Sequence, residues 1–437
     1  MTRTHMQVTN VTFADVLSED LNAAMTNASS PARLRRAEAE RLPPLPAWLD
    51  DWRRGGCKTA EVATEGGATG DCLAMAVDVV AEERGVGLGH VVVCPGGEDG
   101  SRVTVCATRT LAQLQDLGGH SAAVCSVAVE GNLIASGDRE GTIRLWSRHT
   151  GDCCVLTRCA EPVYGLAIKG DTLLSGEGSA CSGMARLWSI GAALARGGTQ
   201  STGTEPLTTF SEHEGIVWSV ALSQRHSYAL SASLDKMVCV WTHGAATSNA
   251  CVGASGRTPA RRIAALRHPA AVYSLSVDGG LAASGCGDGR VRVWSLTSFA
   301  CLHTLFPETE RFTATLQPIF AVALCGSVLA SGGADECVKL WSLVDDGHCV
   351  ASMAHGSVVS GVALSPHGVI ASIGGAPGST NARKKVLMLW APATAEPEGQ
   401  EPSDAIQQLS SQTSTPNASF CFPFGPLQPS LRPSSRQ

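Results

Sequence analysis

Apolar residues in this chain fall in short runs, alternating with polar ones or continuous over four to eight positions, and each run ends at Gly, Asp, Asn or Ser. This is the signature of half-buried strands joined by tight turns rather than of helices. The runs recur in register. The segments "GTIRLWS", "GMARLWS", "KMVCVWT", "GRVRVWS", "ECVKLWS" and "KVLMLWA" carry Trp146, Trp188, Trp241, Trp294, Trp341 and Trp390 at intervals of 42, 53, 53, 47 and 49 residues. Upstream of each lies a second run ("LIASGD", "LLSGEG", "LSASLD", "LAASGC", "LASGGA", "IASIGG"), and before that a third ("VCSVAV", "VYGLAI", "VWSVAL", "VYSLSV", "IFAVAL", "VSGVAL"). A fourth run follows, such as "CLHTL" after Trp294.

A weaker copy precedes these six. "CLAMAVD", "HVVVCPGGEDG", "RVTVCATRT" and "LAQLQDL" keep the four-run order, with Cys106 where the others have tryptophan. Seven four-stranded units are therefore expected, the first degenerate. One such sheet cannot bury both of its faces, whereas a closed ring of sheets can. The expected fold class is all-β, a seven-bladed β-propeller of four-stranded antiparallel blades.

Composition fits a large core with many turns: of 437 residues 44% are hydrophobic and 47 are glycine. A net charge of -6 is too balanced to mark a nucleic-acid or lipid surface. The start of the chain has no apolar signal region and no run is long enough to cross a bilayer, so the expected location is cytoplasmic or nuclear. The 17 cysteines are odd in number, lack any C-x-x-C pair, and mostly replace Val or Ala within strands. Cys153, Cys154 and Cys159 lack a matching second pair of ligands, and no metal or cofactor is expected.

The units resemble the WD-repeat β-propellers. The resemblance runs from about Cys57 to Ala391. It rests on the Gly119-His120 pair, on His213, His268 and His355, and on the strand-ending tryptophans, although Ser, Thr or Ala stands where the family usually has Asp after the Trp. In that family a His, a Ser, an Asp and the Trp form a buried hydrogen-bonded network. The resemblance implies complete networks at His213, Ser231, Asp235, Trp241 and at His268, Ser284, Asp288, Trp294. It gives the unit of His120, Ser136 and Trp146 an acid at Glu140, and leaves Ser331, Asp335 and Trp341 without a His. The same grouping could be misread as a hydrolase triad, but its recurrence beside an indole N–H that needs a partner makes it structural. No G-x-S-x-G, H-E-x-x-H or P-loop pattern occurs.

The flanks differ in kind. Residues 1–56 are expected to hold two short helices and then an extended connector, "LPPLPAWLDDW", that pack on the propeller or dock a partner. Residues 392–437, rich in Pro, Ser and Gln, are expected to be disordered. After Trp390 the Pro-rich chain offers no fourth strand, so residues 57–64, "CKTAEV" and its continuation, are expected to supply it and make 57–391 one domain. Insertions at "GEGSACSGMA", "GGAPGSTNARKK" and the link after Trp241 are expected to lengthen surface turns.

With no catalytic constellation, the chain is expected to be a non-enzymatic interaction scaffold or substrate-recruiting subunit; an enzyme on a propeller is the other class. The repeat phrase "V-x-S-V-A-V-x-G-N-L-I-A-S-G" is similar to that of F-box WD-repeat receptors of ubiquitin ligases, which makes ubiquitin-ligase components alternative partners. The second residue of each first strand is Leu73, Cys125, Tyr164, Trp218, Tyr273, Phe320 and Ser360. Four consecutive aromatics there, a position that in WD-repeat propellers lies at the channel mouth, predict an arc that binds an apolar or Pro-containing peptide. Leu234 and Arg139, in the adjoining turns, complete the expected protein-binding set.

Overall fold

The computed structural model describes residues 42–53, 57–64, 75–78, 90–96, 100–107, 113–195, 204–223, 225–242, 261–306, 317–344, 347–375 and 385–392. Expectations for the N-terminal helices, the C-terminal tail and two of the insertions fall outside these residues.

A short helix, α1 (Leu49–Arg53), leads into β1 (Cys57–Thr64). The first sheet holds β2 (Met75–Asp78), β3 (His90–Gly96), β4 (Arg102–Ala107) and β5 (Gln113–Gly118). The second is β6 (Val124–Glu130), β7 (Leu133–Asp138), β8 (Thr142–Ser147) and β9 (Cys153–Arg158). The third has β10 (Val163–Lys169), β11 (Thr172–Ser179) and β12 (Ser182–Ser189), then helix α2 (Ile190–Ala195) before β13 (Thr208–His213). Next come β14 (Val217–Ser223), β15 (Tyr228–Ser233), β16 (Met237–Thr242) and β17 (Arg261–Arg267), followed by β18 (Val272–Asp278), β19 (Leu281–Cys286), β20 (Val291–Ser295) and β21 (Cys301–Leu305). The sixth sheet is β22 (Ile319–Cys325), β23 (Val328–Gly333), β24 (Cys337–Ser342) and β25 (His348–Ala354). The last is β26 (Val359–Leu364), β27 (Ile370–Gly375) and β28 (Lys385–Pro392), with β1 as its outer strand.

All ladders are antiparallel, and each first strand packs beside the first strand of the next sheet: β6, β10, β14, β18, β22 and β26 in turn, with β2 against both β26 and β6. The result is an all-β propeller of four-stranded blades around a central channel. Six blades bear the tryptophan. The sheet β2–β5 stands apart from them: Cys106 holds the Trp position, and the side chains of its two inner strands lie outside the described residues. The seven-unit expectation thus resolves into six tryptophan-bearing blades and one sheet of different make-up.

Cores lie between successive blades. Leu281, Val293 and Leu305 of one blade interlock with Ile319, Leu329 and Trp341 of the next, all buried. Alternation along the strands puts these apolar residues on the faces that meet, which removes them from water on both sides of each sheet.

The last blade is completed from the far end of the sequence. β1 pairs with β28 along its full length, from Cys57 opposite Pro392 to Thr64 opposite Lys385. The segment before it is no extended connector throughout. Leu49–Arg53 forms a helical turn whose Leu49 and Trp52 are buried at 1% and 2% exposure against Val338, Leu340, Ile370 and Trp390. The Trp48 indole donates to the Pro366 carbonyl at 2.9 Å and the Trp52 indole to that of Gly368 at 3.3 Å. Gly368 sits at φ +82°, and a Cβ there would come within 2.5 Å of the Trp48 ring, so both backbone and packing require glycine. A second departure concerns "GEGSACSGMA". It lengthens the two strands rather than their turn: β11 and β12 pair out to Ser179 opposite Ser182.

Candidate functional site

The site is built from the starts of the first strands. In six blades the ladder between first and second strands skips one residue: Cys125, Tyr164, Trp218, Tyr273, Phe320 and Ser360 each fall at the register shift. A bulged residue has no cross-strand partner and is re-aimed by the local twist. Here the same irregularity recurs at the same step of each blade, so it presents one side chain per blade at the same end of the channel.

Four of these side chains form a continuous arc. Tyr164 stacks on Trp218 with ring centroids 4.9 Å apart and planes 9° apart, Trp218 meets Tyr273 edge-on at 6.2 Å, and Tyr273 meets Phe320 at 5.2 Å and 62°. All four rings are half-buried, each leaving surface to solvent. Such pairs contribute roughly 0.5–1.5 kcal/mol each beyond burial, so the rings hold one another in place.

Their spacing is fixed from behind by serines that follow the bulges. Ser126 donates to the Val163 carbonyl at 3.0 Å, while Ser219 accepts from the Leu275 amide and Ser274 from the Val322 amide, both at 3.0 Å. Each bond crosses from one blade to the next. Blade three has Gly165 at this step, where a Cβ would lie 3.1 Å from the Ser219 Cα, and close backbone approach replaces the hydroxyl.

The second-to-third-strand turns close over the same end. The amides of Arg139, Leu234, Gly287 and Ala334 donate to the carbonyls of Ala123, Ile216, Ala271 and Pro318, each just ahead of a first strand. Leu234 is half-buried and Arg139 exposed at this rim. Gly287 comes so close to Tyr273 that a Cβ would lie 3.3 Å from the ring. Further along the channel a cavity of about 670 Å³ is walled by residues such as Val127, Leu166, Val220 and Leu275.

Behind the rim stand the polar networks. In all six tryptophan blades the indole N–H donates to a second-strand serine: Trp146 to Ser136 at 2.7 Å, Trp188 to Ser175 at 2.9 Å, Trp241 to Ser231 at 2.9 Å, Trp294 to Ser284 at 3.0 Å, Trp341 to Ser331 at 2.8 Å and Trp390 to Ser372 at 3.0 Å. These serines are at most 1% exposed. A hydroxyl sealed from solvent and already accepting from an indole is no nucleophile.

The histidine and acid parts diverge from the expected pattern. His213 Nδ1 reaches Asp235 at 2.7 Å and its Nε2 reaches Ser231 at 2.8 Å. In the second blade His120 is bonded to Ser136 at 2.6 Å and to Asp138 at 2.7 Å, not to Glu140, which instead accepts from Ser121. The acid stands two residues earlier, at the end of β7, a position that Glu177 also uses in blade three, bonded to Ser175 and paired with Arg186. At His268 the Ser284 bond is kept at 2.8 Å, but Nδ1 turns to the Leu266 carbonyl at 3.0 Å, because Asp288 is taken by the two-pronged guanidinium of Arg292 at 3.2 and 2.6 Å. The expected His268–Asp288 bond is therefore absent. In the blade of β22–β25 Asp335 pairs instead with Lys339, and in the blade of β26–β28 His355 lies within 3.2 Å of Ser357.

One position thus carries histidines of opposite character. For His213, burial disfavours the cation, yet the hydrogen bond to Asp235 outweighs it and lifts the pKa to about 9. For His268, burial, aided by the Arg292 charge, pushes it down to about 4. A raised base stabilises the fold fully below its unfolded value near 6.5 and loses that contribution as pH rises through about 9; a lowered one contributes fully above 6.5 and loses it as pH falls through about 4. Each shift corresponds to a few kcal/mol, about 3 in order of magnitude. Melting temperature followed from pH 4 to 10 should therefore peak near neutrality. His213→Gln should flatten the alkaline limb alone. His268→Gln should soften the acid limb without abolishing it, since burial also lowers the pKa of His355.

Among the described residues no group of His, Cys, Asp or Glu could hold a metal, and no helix is long and apolar enough to cross a membrane. The cysteines described are free thiols.

Three segments, residues 111–147, 204–242 and 261–295, match the family model "WD domain, G-beta repeat". They end one residue past the tryptophans of the three blades in which a histidine bonds the serine. The chain is 25% identical over 202 residues, 46% of its length, to zinc finger CCCH domain-containing protein 17 of Oryza sativa subsp. japonica. It is 26% identical over 179 residues, 40% of its length, to an F-box/WD-40 repeat-containing protein of Arabidopsis thaliana, and 30% identical over 199 residues, 44% of its length, to autophagy-related protein 16 of the same plant. The matches span 40%, 29% and 35% of those relatives' own lengths, so the likeness concerns one part of each. Repeat spacing, blade topology, the indole–serine bonds and the three matched segments agree: the chain carries WD40 repeats and builds a β-propeller from them.

Proposed function

We propose that this protein is a non-enzymatic interaction scaffold or substrate-recruiting subunit of a larger complex. In this reading the propeller domain spans 57–391 with β2–β5 as its seventh blade, and the protein works in the cytoplasm or nucleus. It captures an apolar or Pro-containing peptide segment on Tyr164, Trp218, Tyr273 and Phe320, with Leu234 and Arg139 at the rim. The observation that carries the reading is the arc itself: four rings on four successive bulges, in mutual contact and half-open to solvent. Pre-ordered aromatics lose little entropy on binding and are favoured interface anchors, each contributing on the order of 1–3 kcal/mol. The relatives whose names denote F-box/WD-40 and autophagy proteins support an interaction role in general terms.

Replacing Trp218 and Tyr273 together by Ala should reduce partner capture at least about tenfold while the melting temperature moves by only a few degrees. Lost stability with capture intact would make the rings core filler and end this reading.

A second reading, an F-box-like substrate receptor of a ubiquitin ligase, draws on the F-box/WD-40 relative and on the repeat phrasing. Affinity purification with mass spectrometry decides it, since cullin and its adaptor either accompany the chain or do not.

A further inference from the structure

The segment following the propeller contains one stretch unlike its surroundings. Residues 393–419, 27 in all, hold no aromatic and no base. Then comes "FCFPFGPLQP", which places Phe420, Phe422 and Phe424, three of the nine phenylalanines of the chain, within five residues and interleaves them with Pro423 and Pro426. It is the kind of segment the aromatic arc suits: ring faces for ring faces, and proline rings for the flat of Trp218.

Reach and charge allow the match. β26 starts at the arc end of the channel, β27 returns and β28 runs away again, so Pro392 leaves at the opposite end. Going back past a blade is a path of roughly 25 Å for a strand of eight residues. A chain of 27 residues spans up to about 90 Å, which covers that path and the width of a blade besides. From Ala405 to Gln437 the only charged residues are Arg432 and Arg436. The exposed Glu214 precedes Trp218 by four residues and Glu161 precedes Tyr164 by three, so cations just beyond the phenylalanines meet acids at the same end of the arc. Arg139 and Lys236 in the adjoining rim turns stand beside Glu140 and Asp235, so with Glu161 and Glu214 the acids outnumber the cations at the Tyr164–Trp218 end.

We propose that Phe420–Leu427 docks on the Tyr164–Trp218–Tyr273–Phe320 arc of its own chain and competes there with the incoming partner. This rests on the arc being a peptide site and adds its regulation. Tethering makes the contact intramolecular, so a segment with modest affinity still occupies the arc until a stronger partner displaces it.

The test uses the full chain and a labelled synthetic peptide of residues 417–433, followed by fluorescence anisotropy. The peptide should bind the variant Phe420→Ser/Phe422→Ser/Phe424→Ser at least tenfold more tightly than the unmodified chain, whose own segment blocks the arc. Adding Trp218→Ala to that variant should abolish the binding, and Trp218→Phe should retain it. A photoreactive phenylalanine analogue at position 422 should cross-link to β10, β14 or β18 within one chain; cross-links between two chains would assign the contact to a second copy and overturn the proposal. Equal affinity for modified and unmodified chains, or binding indifferent to Trp218, would also overturn it. If unrelated Pro-containing apolar peptides bind in a Trp218-dependent way while residues 417–433 do not, only the tail contact falls. If no peptide binds and partner capture ignores Trp218, the arc reading falls as well.

Discussion

Deleting residues 1–66 should leave a chain that aggregates or melts far below the intact protein. The cut removes β1, the outer strand of the last blade, and with it the ladder from Cys57–Pro392 to Thr64–Lys385. β28 then presents a row of unpaired amides and carbonyls, an edge that templates association with other chains. The same cut removes Leu49 and Trp52, both buried against β24, β27 and β28. Truncating a buried Leu or Trp typically costs 2–5 kcal/mol, so these two and the lost strand approach the whole stability of an ordinary domain, about 5–15 kcal/mol. Scanning calorimetry with light scattering reads the outcome, and an unchanged melt would show that neither β1 nor the Trp48–Trp52 clasp holds the ring closed. Trp52→Ala separates the two contributions: it should lower stability by about 3–5 kcal/mol while the protein stays monomeric, because β1 remains in place.

Asp335→Asn should destabilise the protein by about 3–5 kcal/mol, a fall in melting temperature of roughly 6–10 °C. Lys339 is 7% exposed, and its ammonium is paired with the Asp335 carboxylate at the turn between β23 and β24. Neutralising the acid takes one negative charge away from an ammonium that is largely sealed from water, and losing one member of such a pair costs far more than the pair contributes net. The double variant Asp335→Asn/Lys339→Met should recover most of the loss, because the charge leaves with its partner and the methionine fills a similar volume. Chemical denaturation of the two variants checks this. A single variant within 1 kcal/mol of the parent would mean that the Asp335 charge is not what holds the lysine in place.

The repeats were legible because blade geometry writes itself into the chain as period-two runs and a fixed tryptophan register. The arc was legible for the same reason: aligning first strands sets Tyr164, Trp218, Tyr273 and Phe320 in one column. What no alignment shows is why they face outward. That depends on the bulge between Val163 and Gly165 and its counterparts, a feature of cross-strand pairing rather than of composition. The acids were harder. Asp138 looked like the end of a strand and Glu140 like the turn acid, yet the shorter carboxylate two residues earlier reaches His120. Asp288 sat at the right place in the sequence, but Arg292, four residues on, outcompetes the neutral His268 for it. Trp48 and Trp52 give no such signal, because a five-residue helix carries too few turns to show a period and the carbonyls that hold the two indoles lie 318 and 316 positions away.

The central claim is that the bulged ends of the first strands are where this propeller takes hold of other proteins. Hydrogen–deuterium exchange of the intact chain, with and without its captured partner, tests it most directly. Slowed exchange should concentrate at residues 163–165, 217–219, 272–274 and 319–321 and in the turns at 234 and 287. Protection confined to the outer strands β9, β13, β17, β21 and β25, or to the opposite end of the channel around Lys169 and Asp278, with the arc unchanged, would contradict it.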